Sequence, residues 1–150
     1  MEYLGVNNCN PLNVKQMADP KNFWDGSRGE DAYEHAIFVD PIYGVRAACR
    51  CLAKKALECS TWRKLFESYA PPSDGNDPAT YAAFVARAVS SHSDGKVELF
   101  DLRGRIIDRN RLYLTLAAMI EFENFAGYEL SASVIRSGIA MYQRDFCAGR

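Results

Sequence analysis

Apolar residues fall at helical spacing along most of the chain after residue 40 and at no regular spacing before it. Ile42, Val45, Leu52 and Ala53, with the small Ala47, Ala48 and Cys49 between them, form a stripe that runs to Leu57. Asp40 is placed to cap this first helix, with Pro41 in its opening turn. Trp62, Leu65, Phe66 and Tyr69 repeat the spacing behind Ser60 as a cap, and Pro71-Pro72 ends the run. Asp77-Pro78 opens another helix, whose Tyr81, Phe84, Val85, Ala88 and Val89 fall on one face. The segment 90–95 reads as a loop, and 96–102, where Val97 and Leu99 alternate with polar residues, as extended. Asp108 opens the most apolar helix, with Leu112, Tyr113, Leu116, Ala117, Met119, Ile120 and Phe122, the expected centre of the core. Ser131 caps a last helix carrying Val134, Ile135, Gly138, Ile139 and Tyr142.

The N-terminal part is punctuated instead by Asn10-Pro11, Asp19-Pro20, Asp25-Gly26 and Arg28-Gly29, which make loops and short extended pieces. Ala36-Ile37-Phe38-Val39 is the best short strand, with Leu12-Asn13-Val14-Lys15 as its expected partner. The prediction is a mainly α fold of five helices with a small β-ribbon near the N-terminus. A chain of 150 residues suits a single domain over 1–150. At this size about 68–70% of the unfolded surface can be buried, so neither disulfide nor metal is needed to hold a core.

Composition narrows the function classes. A hydrophobic share of 48% and a charged share of 25% exclude wholesale disorder. A formal net charge of −1 provides no basic face, so no nucleic-acid partner is expected. No apolar run approaches the roughly 20 residues of a membrane span. Met1-Glu2-Tyr3-Leu4-Gly5 has no basic segment followed by an apolar stretch, so no secretory leader is expected and synthesis is placed in a cytoplasm.

Five cysteines, an odd number, read as free thiols. Cys49 and Cys51 lie in one helix, where side chains two apart diverge by roughly 200°. They suit buried apolar thiols better than a zinc pair. His35 and His92 have no metal-ligand partner near them in sequence. Phosphate-binding glycine motifs are absent as well, so no cofactor and no metal are expected.

Several segments carry possible chemistry. Residues 7–13 hold four asparagines. They form either a stapled loop that packs Leu12 and Val14 inward or a wall of amides for a neutral polar ligand such as an N-acetylated sugar. The loop 69–77 joins two helices, and its Tyr69 and prolines can also rim a carbohydrate groove. Tyr43-Gly44-Val45-Arg46-Ala47 opens a helix, either for packing or with Tyr43 lining a pocket. Glu121 and Glu123 end the apolar helix on different faces. Beside Ile120, Phe122 and Phe125 a carboxyl would have its pKa raised by desolvation, as a general acid requires. The other reading places one or both in solvent.

In order along the chain come Asn8-Cys9-Asn10-Pro11-Leu12-Asn13-Val14, Trp24-Asp25-Gly26, Phe38 and Tyr43-Gly44-Val45-Arg46-Ala47. Tyr69-Ala70-Pro71-Pro72, Asn76-Asp77, Tyr81 and Glu123-Asn124 follow. This ordered set resembles a group of bacteriophage virion-associated lysozyme-like proteins, over roughly residues 5 to 140. The chain departs from that pattern at Cys9, at Phe122, where a histidine is usual, and at Gly127, which is displaced from Asn124.

The resemblance implies a lysozyme-like helical domain carried in the virion, with peptidoglycan glycan strands and other virion proteins as partners. It implies Glu123 as general acid, with Asn10, Asn13, Tyr43 and Tyr69 holding the sugar. Asp25, in the substrate-binding set, and Glu30 are the nominated loop acids for a second carboxylate. That group would stand about 5–5.5 Å away for retention or 6.5–9.5 Å for inversion. A lytic transglycosylase needs only the one acid. The alternatives are a non-catalytic structural or adaptor protein of the particle that keeps the fold, and a host-directed inhibitor made early in infection.

Overall fold

The computed structural model describes residues 4–17, 23–72 and 75–147. Asp19-Pro20, Ser73 and Asp74 lie outside the described residues. The elements run α1 (Leu4–Asn7), β1 (Ser27–Glu30), β2 (Ala36–Phe38), α2 (Pro41–Ala56), α3 (Trp62–Tyr69), α4 (Pro78–Ala88), α5 (Arg109–Glu123) and α6 (Ala132–Tyr142). A π-helical turn, Gln143–Cys147, continues α6. The fold is mainly α with a small antiparallel ribbon near the N-terminus, as the apolar spacing predicts. The short α1 and the π turn add to the five helices expected. Among the described residues no helix is long and apolar enough to cross a membrane.

Three aspartates start helices in the same way. Asp40 accepts the Ile42 N–H at 2.9 Å, Asp77 the Thr80 N–H at 3.2 Å and Asp108 the Arg111 N–H at 3.0 Å. Each satisfies a backbone donor that the first turn leaves unpaired. Ser60 does not cap α3. Its carbonyl accepts the Val97 N–H at 2.9 Å, which keeps it extended, and Thr61 caps instead through the Lys64 N–H at 3.3 Å. Ser131 stands at the N-cap of α6, but its hydroxyl pairs with that of Ser133 at 2.9 Å.

The ribbon has a different partner from the one expected. β2 pairs with β1 in the register Ser27↔Phe38, Gly29↔Ile37 and Glu30↔Ala36. The segment 12–15 contributes one bridge, Lys15↔His35, and the bond from Ala36 N–H to the Val14 carbonyl at 2.9 Å. Asn13 sits at φ +51°, which turns the chain out of the extended state after Leu12. Glu98, also at φ +51°, likewise breaks 96–102, which forms isolated bridges rather than a strand.

Helix α5 buries Leu112, Thr115, Leu116, Ala118, Met119 and Ile120, on more than one face, so it runs through the core. Rings from α3, α4 and α5 stack in a column beside it. Phe66 and Tyr81 have centroids 4.2 Å apart, and Tyr81 and Phe122 are 4.1 Å apart. On the other side α2 packs against α6 at Gly138. A Cβ there would stand 2.5 Å from the Val45 Cβ. Gly138→Ala is therefore expected to overpack this contact at a cost of about 1–3 kcal/mol. Thermal melting checks this, at roughly 2–4 °C per kcal/mol for a chain of this size.

Candidate functional site

The asparagine turn and the end of α5 are brought together by two side-chain bonds. Asn124 donates to the Pro11 carbonyl at 2.9 Å and to its own helix at the Ile120 carbonyl, 2.7 Å away. Asn13 donates in the other direction, from Nδ2 to Glu123 Oε1 at 3.0 Å. Gly44 makes room for the turn on α2, since a Cβ there would stand 3.0 Å from the Cys9 carbonyl oxygen and from Pro11 Cδ. The chain can thus fold back over two helices and present Asn13 to the carboxyl. Asparagine tolerates the left-handed backbone that this position requires.

Glu123 is the last residue of α5 and lines a cleft of about 1100 Å³. Its Oε2 accepts the Tyr81 hydroxyl at 2.9 Å. Tyr81 is fully buried, and its ring is clasped between Phe66 and Phe122. Phe122, where the resemblance leads one to expect histidine, therefore helps to aim the phenol at the acid.

Burial pushes the Glu123 pKa above its ordinary 4.5, while the bonds from Asn13 and Tyr81 and the nearby His35 pull it back. The carbonyl end of α5 adds a further disfavour toward negative charge. Both partners can serve either protonation state. A phenol donates or accepts, and the Asn13 amide can present its oxygen after a half-turn. That oxygen, Oδ1, is buried and has no partner among the described residues.

The sign of the pH effect follows from the raised pKa. The folded state binds the Glu123 proton more tightly than the unfolded chain does. Its contribution to stability is fully present below the ordinary value of 4.5 and is lost as pH rises through the raised folded value. Glu123→Gln is therefore expected to raise the melting temperature more at pH 8 than at pH 4. Calorimetry of both proteins at each pH checks it, and a gain no larger at pH 8 would contradict it.

Of the residues nominated from sequence, Glu123, Asn13 and Tyr69 line one cleft. The Tyr69 hydroxyl donates to the Leu12 carbonyl at 3.0 Å, so its ring rather than its oxygen faces the opening. Asn10 is fully buried. Its Nδ2 donates to the Val14 and Ala36 carbonyls, both at 2.9 Å, and its Oδ1 accepts the Val14 N–H at 3.0 Å. Every polar group of that amide is engaged by backbone.

Asp25 and Tyr43 lie outside the cleft wall. Asp25 pairs with Arg46 at 3.2 Å, and the Tyr43 ring covers Gly26. Glu30 is exposed on β1. Among the described residues Glu123 is the only carboxylate in the cleft wall. Tyr81 and His35 were not singled out for this site in sequence. Tyr81 falls on an apolar stripe that marks it as core, and His35 has no partner closer than Asp31, four residues away.

All five cysteines are free, and Cys49 is buried, which pushes its thiol well up. Among the described residues no group of three or more potential ligands could hold a metal ion.

No protein-family model matches the chain. It is similar to Protein P5 of Pseudoalteromonas phage PM2, with 27% identity over 125 residues, covering 80% of this chain and 70% of that protein. The likeness is therefore to a bacteriophage protein, over most of both chains.

Proposed function

We propose that the chain is a bacteriophage virion protein with a lysozyme-like domain, which binds peptidoglycan glycan strands and cleaves them with Glu123 as general acid. The observation that carries this reading is the Glu123 carboxyl, pushed toward its protonated form inside a cleft and held between an amide and a phenol. A protonated carboxyl can donate to a glycosidic oxygen as the bond breaks. The Asn13 amide lines the cleft, and the Tyr69 ring and Pro71 offer apolar rim for a sugar face. The likeness to a phage protein supports carriage in a particle, with other virion proteins as partners. The test is wild-type protein on purified peptidoglycan. Soluble glycan fragments are expected, and a protein that neither binds the glycan nor releases fragments would contradict the reading.

A second reading is a structural protein of the particle that keeps this fold without chemistry. The full engagement of Asn10 and of the Tyr69 hydroxyl inside the fold favours it. Its test is whether the cleft is filled by a neighbour in the assembled particle.

A further inference from the structure

The cleft that Glu123 lines also holds an oriented imidazole. Asp31 Oδ1 accepts the backbone N–H of Tyr33 at 2.8 Å and of His35 at 2.9 Å, which closes the turn before β2. Those two bonds suffice for the turn, in which Glu34 adopts φ +69°. Oδ2 is left over, and it takes the Asn8 amide at 2.9 Å and His35 Nδ1 at 3.1 Å. Burial raises the Asp31 pKa, but these bonds outweigh it and hold the carboxyl below its ordinary 3.8. Against a carboxylate, Nδ1 carries the hydrogen, so Nε2 keeps the lone pair.

The His35 side chain is 18% exposed, and it lines the same cleft as Glu123 and Asn13. The bridge between Lys15 and His35 fixes it two residues along from Asn13, which itself holds the acid. The titratable groups around the imidazole are Asp31 and Tyr33 on its own turn, Lys15 opposite it on the bridged segment and Glu123 in the same cleft.

We propose that His35, positioned by Asp31, is a second catalytic group, whose Nε2 takes the proton from the hydroxyl that attacks the anomeric carbon. The proposal rests on the glycan-cleaving reading. As the bond between the anomeric carbon and the leaving oxygen breaks, that oxygen takes the Glu123 proton. The attacking oxygen bonds to the anomeric carbon and gives its own proton to Nε2. The charges balance, with Glu123 left as carboxylate and His35 as imidazolium, and a proton returning between turnovers. The attacking hydroxyl is either water, which leaves a hydrolysed end, or the sugar's own primary hydroxyl, which leaves an internal anhydro end. Mass spectrometry of the fragments separates the two.

The test uses His35→Gln, Asp31→Asn and Glu123→Gln on purified peptidoglycan. His35→Gln is expected to lower kcat about 10²-fold or more, with KM little changed, and to remove the acid limb of the pH–rate profile. Asp31→Asn should keep that limb and lower kcat less than His35→Gln does, because the imidazole remains but is no longer held by its carboxylate partner. A merely structural role for Asp31 and His35 would lower the active fraction without altering the profile. Full rate and an unchanged profile in His35→Gln, with Glu123→Gln inactive, would overturn the proposal while leaving the glycan reading in place. No cleavage by wild type would overturn both. Should His35→Gln fail to fold, the wild-type profile decides, since absence of an acid limb contradicts a base in the cleft.

Discussion

Glu123→Gln is expected to slow peptidoglycan turnover about 10²–10⁴-fold, the usual contribution of a general acid. The substitution keeps the shape and the hydrogen bonds of the site. A glutamine oxygen can still accept from Asn13 Nδ2, and its NH₂ can donate to the Tyr81 oxygen. What it lacks is a proton to give to the leaving oxygen. Binding of glycan should therefore persist while release of fragments stops, so the loss falls on kcat rather than KM. Steady-state assays on soluble glycan strands read the two separately. Because burial disfavours the Glu123 carboxylate, the uncharged glutamine avoids that penalty, and the variant should fold at least as well as wild type at neutral pH.

Asn10→Ala is expected to act in the opposite way, on stability before activity. Its side chain lies at 0% exposure and makes three bonds to backbone. Truncation leaves the Val14 N–H buried without a partner and takes one donor each from the Val14 and Ala36 carbonyls, of which Val14 keeps the Ala36 N–H, at about 3 kcal/mol together. A loss of about 3 kcal/mol would lower the melting temperature by roughly 6–12 °C. Thermal unfolding followed by circular dichroism checks it. A protein that melts normally yet has lost glycan affinity would mean that Asn10 is a ligand of the sugar.

The contrast between Asn10 and Asn13 shows where the sequence stops being legible. Four asparagines within seven residues announce a turn, but residue type alone does not say which amides face inward. The backbone decides. Asn10 lies under the ribbon between Val14 and Ala36, and Asn13, at φ +51°, swings its amide toward α5. The helices were readable because each aspartate cap stands beside a regular apolar stripe. Strand β1 was not, since Ser27–Glu30 is an edge strand with no apolar alternation. Glu123 was readable from its apolar neighbours at a helix end.

The Glu123 partner Tyr81 was hidden by its own ring. That ring belongs to the core column and makes the residue look structural, while its hydroxyl reaches the acid. Asp25 and Tyr43 stood near the right motifs in sequence. Asp25, however, is drawn to Arg46, whose guanidinium also binds Asp145 of the π turn at 2.7 Å.

The most direct measurement is mass spectrometry of the fragments that wild type and Glu123→Gln release from purified peptidoglycan. If Glu123 is the proton donor, wild type releases fragments cut within the glycan strand and the variant releases almost none. Cuts confined to the peptide stems, or glycan cuts made equally well by the variant, would contradict it.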